Sequence, residues 1–120
     1  MRVILAEKPS VAQSIAAVLG ADQKKNGYLQ GKNDLVSWCI GHLIELAPPE
    51  IYDARYAKWR REDLPIVPSA WESVVSDGTK KQFAVLKDLL NRTDVDEVVC
   101  ATDAGREGEL IFRMAYEKTC

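Results

Sequence analysis

The chain has 120 residues, a length that suits one domain with a real core. Its 47% hydrophobic and 28% charged residues exclude a disordered or fibrous protein. The net charge of −2 weighs against a surface that grips nucleic acid everywhere, because backbone affinity comes from Lys and Arg neutralising phosphates. Any such contact must be local. No apolar run approaches the ~20 residues of a membrane span, and Met1-Arg2 leads into a strand and a polar turn instead of a secretory signal. Cys39, Cys100 and Cys120 are odd in number and lack Cys-x-x-Cys spacing, so neither zinc nor a disulfide framework is expected. A reducing cytoplasm is the simplest home.

In chain order, Arg2 to Ala6 (RVILA) has the length and branching of a buried strand. It stops at Glu7, and Lys8-Pro9-Ser10 leads into a helix. Ser10 and Gln13 have the capping-box spacing, and Val11, Ile15, Val18 and Leu19 recur at helical intervals as far as Gly20. The free N–H groups of this helix face the same edge as Glu7, where an oxyanion is welcome. Lys8 either holds such a group or is a solvated lysine beside a glutamate. Positions 26–39 read as a β-hairpin, with Tyr28 to Gln30 and Leu35 to Ile40 as strands, a turn from Gly31 to Asp34, and Trp38 in the core. His42, the only histidine, follows at the strand end, where it is either a structural hydrogen-bonder or a functional group.

Positions 47–68 hold four of the five prolines and interleave Arg55, Lys58, Arg60 and Arg61 with Tyr52, Tyr56 and Trp59. Cations among aromatics suit a nucleic-acid surface. They also suit a surface segment whose rings pack inward while its charges stay solvated. Inward packing is expected for the rings, which leaves Arg60 and Arg61 as DNA candidates. Positions 41–76 read as an insertion packed on the sheet, ending in a strand from Trp71 to Val75. Thr79 and Gln82 offer a second capping box, and Phe83, Leu86, Leu89 and Leu90 make an apolar helical face. A βαβ crossover then returns the chain to a second apolar strand, Glu97 to Thr102. That strand delivers Asp103 to a Gly-containing turn. A helix follows from Arg106 to about Lys118, carrying Glu107 and Glu109 and burying Leu110, Ile111 and Met114.

Two βα junctions thus each end in a carboxylate. In a parallel sheet such ends lie side by side, at the edge where ligands of open α/β sheets bind. Glu7, Asp103 and Glu107 are therefore expected around one Mg²⁺, a hard cation whose oxygen ligands are shared with substrate phosphates. Arg106 is placed to add bidentate contact to the same phosphate. Where like charges crowd together one carboxylate tends to keep its proton, and Glu7 is the candidate to pass it to a departing oxygen. The plainer reading of Asp103, Glu107 and Glu109 is a solvated helix N-terminus, where acids are favoured by the helix dipole.

Five ordered blocks, ILAEKPS (4–10), WCIGHL (38–43), YDARYAKW (52–59), LPIVP (64–68) and TDAGREGE (102–109), resemble the N-terminal Toprim domain of type IA DNA topoisomerases, nearest to the bacterial topoisomerase III branch. The likeness covers essentially the whole chain. It implies an α/β, Rossmann-like Toprim domain over 1–120, with a mostly parallel sheet flanked by helices, a β-hairpin and the irregular insertion. It also implies an enzyme that cuts one DNA strand through a tyrosine linked to the 5′-phosphate and then reseals it. In that scheme Glu7 is general acid and base, Asp103 and Glu107 match metal-site acids, and Lys8 and Arg106 match residues near the scissile phosphate. His42 lies close to the acids and joins the DNA candidates.

Much of the family has Asp-x-Asp where this chain has Asp103-Ala104-Gly105. Gly105 cannot ligate, so a single Mg²⁺ is expected. The nucleophilic tyrosine belongs to a later domain of such enzymes, and none of Tyr28, Tyr52, Tyr56 and Tyr116 is assigned that role. The chain is accordingly expected to be a truncated Toprim domain, inactive alone, that works on single-stranded DNA with further domains in cis. Loss of a last strand would leave a sheet edge open to self-association. The rivals are a Toprim-type primase or nuclease, against which the Gly41-His42-Leu43 and LPIVP blocks count, and a nucleotide-binding α/β module. The latter should show a Gly-rich turn after its first strand, where this chain has Glu7-Lys8-Pro9-Ser10.

Overall fold

The N-terminal apolar run becomes a parallel strand inside a five-stranded sheet in the computed structural model, which describes residues 1–40, 43–76 and 78–119. This strand, β1 (Arg2–Ala6), is followed by α1 (Pro9–Leu19), β2 (Gln23–Lys25), β3 (Tyr28–Gln30) and β4 (Asp34–Trp38). The chain continues through β5 (Ile44–Leu46), the one-turn helix α2 (Pro49–Tyr52), two 3₁₀ turns and β6 (Ser73–Val75). It closes with α3 (Lys80–Leu90), β7 (Glu97–Ala101) and α4 (Arg106–Thr119). The sheet order is β2-β3-β4-β1-β7, with β4, β1 and β7 parallel and β2 and β3 antiparallel.

Side chains alternate across a strand, and β1 divides its residues accordingly. Val3 and Leu5 join Leu86, Leu89, Ile111, Phe112 and Ala115 under α3 and α4. Ile4 and Ala6 meet Ala12 and Ala16 of α1 on the other face. With helices over both faces, an unbroken apolar run is what β1 needs.

Several expectations are corrected by this packing. Helix α1 starts two residues earlier than its capping box suggested: Lys8 is the N-cap, Pro9 opens the first turn, and no side chain caps it. Proline suits that position because its missing N–H would be unpaired anyway. The helix lies on the sheet through Ala12 and Ala16, with Val11 and Ile15 half-buried, while Val18 and Leu19 are exposed. Small residues allow the closer approach. Gly20, at φ 72°, ends α1 in the left-handed conformation, its N–H donating to the Ala16 carbonyl. Trp38 is only half-buried, at the margin of the α1 layer. On α4 the inward residues are Gly108, Ile111, Phe112 and Ala115, whereas Leu110 is exposed.

Strand β2 was not foreseen, although Asn26-Gly27 between Lys25 and Tyr28 is the commonest of hairpin signals. Gly27 has φ 88°, and a Cβ there would come within 2.7 Å of Val85, so both the turn and α3 require glycine. The second capping box is also replaced. Thr79 makes no side-chain cap, and Gln82 turns inward to donate to the carbonyls of Gly27 (3.1 Å) and Trp38 (2.8 Å) and to the Ser37 hydroxyl (3.0 Å).

Strands β5 and β6 form a separate antiparallel ribbon. The crossover within the parallel sheet therefore runs from β4 to β7, and β6-α3-β7 is not a βαβ unit of one sheet. Residues 48–72 include no fully buried residue. That part of the 41–76 insertion is a shallow projection tied to the ribbon, where the Tyr52 hydroxyl accepts from the Glu72 N–H at 2.8 Å. Trp59 is 75% exposed, against the expectation that the rings pack inward. Arg55 instead lies over the Tyr56 ring, 4.9 Å from its centroid.

Candidate metal and nucleic-acid site

Parallel pairing of β1 with β7 puts Ala6 opposite Ala101, so the next residues, Glu7 and Thr102, leave the sheet side by side. On the other flank Ala6 pairs with Trp38, and the Cys39 N–H donates to the Ala6 carbonyl at 2.9 Å. The carboxyl edge is thus built from three strand ends separated by long stretches of chain. There the Asp103 N–H points at Glu7 Oε1, 3.4 Å away. The Glu7 carboxylate thus meets the backbone of the Asp103 turn at this edge.

Asp103 is held by the first turn of α4. The Thr102 hydroxyl donates to the Gly108 carbonyl at 2.9 Å, and the Glu109 N–H donates to the Gly105 carbonyl at 3.1 Å. Gly108 is buried, and a Cβ on it would run into the Asp103 carbonyl oxygen, with Asp103 C and N at 2.9 and 3.0 Å. Nothing lies within 4 Å of the corresponding position on Gly105. Of these two glycines in the motif, only Gly108 is demanded by close approach.

Around this pair, Glu7 is half-buried, while Lys8, Asp103, Arg106 and Glu107 are exposed. Glu107 sits in the first turn of α4, where a carboxylate is favoured by the helix dipole. Glu109 is drawn away along the helix into an ion pair with Arg113 at 2.7 Å. Among the described residues, no three His, Cys, Asp or Glu side chains are grouped as a metal site. The structure therefore joins Glu7 to the Asp103 turn without a preassembled trio of carboxylates among the described residues. His42 lies outside the described residues. Arg60 and Arg61 are exposed on the insertion, and no hydrogen bond or ion pair among the described residues links them to the edge.

Sequence reasoning missed Cys39, which is fully buried beside this edge. Burial, with smaller contributions from Cys100 and Glu7, pushes its thiol from the ordinary 9.0 up to about 12. The apolar residues around position 39 were the available signal. Because the unfolded chain loses this proton first, the contribution to stability is fully present below pH 9 and is lost as pH rises toward 12. At neutral pH, iodoacetamide should modify the exposed Cys100 and leave Cys39 intact until the chain is denatured. Peptide mass mapping reads this directly, and rapid modification of Cys39 in the native chain would contradict the buried placement.

A Toprim domain family model matches residues 2–120. The chain is 54% identical over 117 residues to a DNA topoisomerase 3 of Shouchella clausii, a match covering 98% of this chain. It is 53% and 52% identical over 116 residues to proteins of the same name from Bacillus anthracis and Bacillus subtilis, covering 97% of this chain in each case. The chain spans 16% of the length of each of these relatives. Since the family match runs from the first strand to the last helix, the chain belongs to the Toprim domain family.

Proposed function

We infer that this chain supplies the Mg²⁺-binding catalytic part of a type IA DNA topoisomerase that cleaves and rejoins single-stranded DNA. The observation that carries the reading is the meeting of Glu7 and the Asp103 turn at the carboxyl edge, 3.4 Å apart. The donor set fits the ion. Glu7, Asp103 and Glu107 offer only oxygen, and Mg²⁺ binds through one or two carboxylates, keeping waters and substrate phosphate in the rest of its shell. A full cage of protein ligands is not required. When bound, the ion would offset charge on the phosphate oxygens.

The protein's own residues do the remaining work. Lys8, at the N-cap of α1, and Arg106, at the start of α4, flank the acids and would hold the scissile phosphate. We assign to Glu7 the exchange of a proton with the 3′-oxygen as the strand is cut and resealed. Arg60, Arg61 and His42 are assigned to more distant DNA contacts. The nucleophilic tyrosine, and the domains that carry it, are expected elsewhere in the full protein, so this chain alone should not cleave DNA. Strand β7 is a sheet edge, and we assign it a tendency to self-associate. No described helix is long and apolar enough to cross a membrane, and a reducing cytoplasm is our assignment from the cysteine pattern.

Titrating Mg²⁺ into the labelled chain and following backbone amides by NMR tests the site. The signals of Glu7, Asp103 and Glu107 should move together, with one midpoint, and Asp103→Asn should abolish the response. Movement of only one of them, or of none at millimolar ion, would remove the metal from the proposal.

A further inference from the structure

A groove of about 530 Å³ lies between the β5–β6 ribbon and α4, and its lining includes none of Glu7, Asp103 and Glu107. Its apolar floor follows from two periodicities. Ile44 and Leu46 share one face of the ribbon, with Val75 and Ser73 as their cross-strand partners, and Trp71 lies two residues before Ser73. Leu110 and Met114, four apart, present one face of α4. Leu46 is 58% exposed, Trp71 64% and Leu110 44%, a concentration of large apolar surface of the kind that marks an interaction site.

The charge around it decides what fits. Every charged residue lining the groove is a glutamate: Glu45, Glu72 and Glu117. None of the three is in an ion pair among the described residues. Two cations stand close without cancelling the three acids: Lys118 donates to the Ser73 carbonyl at 2.7 Å and keeps its charge there, and Arg113 interacts with Glu117 while paired at 2.7 Å with Glu109. An acidic mouth repels a phosphate backbone and an anionic lipid surface. It also disfavours a second copy of the chain, because an isologous pair would set the same carboxylates against one another.

We propose that this groove is a docking surface for a basic amphipathic helix, a protein segment with apolar anchors at helical spacing and Lys or Arg beside them. Apolar anchors enter the floor over Leu110 and Trp71, and the flanking cations meet the glutamates. The inference is independent of the metal site, since it uses none of Glu7, Asp103 or Glu107.

Labelled peptides of about 16 residues, long enough to form a helix on binding, test it against the chain. One carries Leu at positions i, i+3, i+4 and i+7 with Lys elsewhere; a second keeps the leucines and replaces Lys by Glu; a third keeps Lys and replaces Leu by Ser. Only the first should raise the fluorescence anisotropy, with NMR shifts centred on Leu46, Trp71 and Leu110. Leu110→Ser and Glu117→Lys, both at exposed positions, should each weaken it about tenfold with the melting temperature unchanged. Equal binding of the Leu/Glu or Ser/Lys peptide overturns the proposal, as does indifference to both substitutions. So do two other results: light scattering that shows a dimer lost in Leu110→Ser, which makes the occupant a second copy, and competition by oligothymidylate, which makes it nucleic acid.

Discussion

Gly108→Ala is expected to destabilise the chain by about 1–3 kcal/mol, the usual cost of overpacking a close contact, and to separate Asp103 from Glu7. Helix propensity alone argues the opposite sign, because alanine inside a helix is favoured over glycine by roughly 1 kcal/mol. The contact decides between them. A methyl group at this buried position meets the backbone of Asp103, which cannot rotate aside as a side chain would. Either the first turn of α4 retreats or the Asp103 turn moves, and both loosen the bond from the Thr102 hydroxyl to the Gly108 carbonyl. Gly105→Ala provides the control, since its methyl would project into open space and should be near neutral. Urea unfolding measures the energies, and amide shifts at Glu7 and Asp103 report the displacement. A Gly108→Ala chain more stable than the parent would mean that α4 does not press on the Asp103 turn at all.

Gln82→Leu should cost about 2–4 kcal/mol, from buried polar groups left unpaired at about 1–3 kcal/mol each. Leucine nearly matches glutamine in volume, so cavity formation contributes little and the loss is one of hydrogen bonding. The amide donates at 2.8 Å to the Trp38 carbonyl and at 3.0 Å to the Ser37 hydroxyl, both on or beside β4. The Gly27 carbonyl keeps a partner, because the Ser37 hydroxyl also donates to it at 2.8 Å. Trp38 has no such substitute in that network. The damage should therefore fall on the joint between α3 and β4, just below the carboxyl edge. A loss under about 0.5 kcal/mol in thermal or chemical melts, the scatter of ordinary surface substitutions, would show that water replaces the amide.

The failures of sequence reasoning have specific causes. The spacings Ser10–Gln13 and Thr79–Gln82 satisfy the capping-box pattern, yet Gln82 gains more from buried carbonyls than from a helix end, and Gln13 stays exposed because α1 has already begun before Ser10. Lys8-Pro9 carried the better signal for the start of α1. The apolar stripe Val11, Ile15, Val18 and Leu19 suggested a face rotated from the true one, because alanines at 12 and 16 permit a closer fit than bulky side chains allow. Leu110 looked like core by the same reasoning. Its exposure became evident only with the ribbon in place, which leaves a groove on that side of α4 instead of filling it.

Residue chemistry and local geometry were legible from the chain itself: apolar runs for β1 and β7, an acid where each stops, and a glycine turn opening α4. These depend on neighbours within a few positions. Register is another matter. That Ala6 lies opposite Ala101, and so Glu7 beside the Asp103 turn, is settled by hydrogen bonds between strands some 95 residues apart. Such contacts form only after the chain has closed long loops and shared its two apolar layers between helices, and no local pattern encodes their distances.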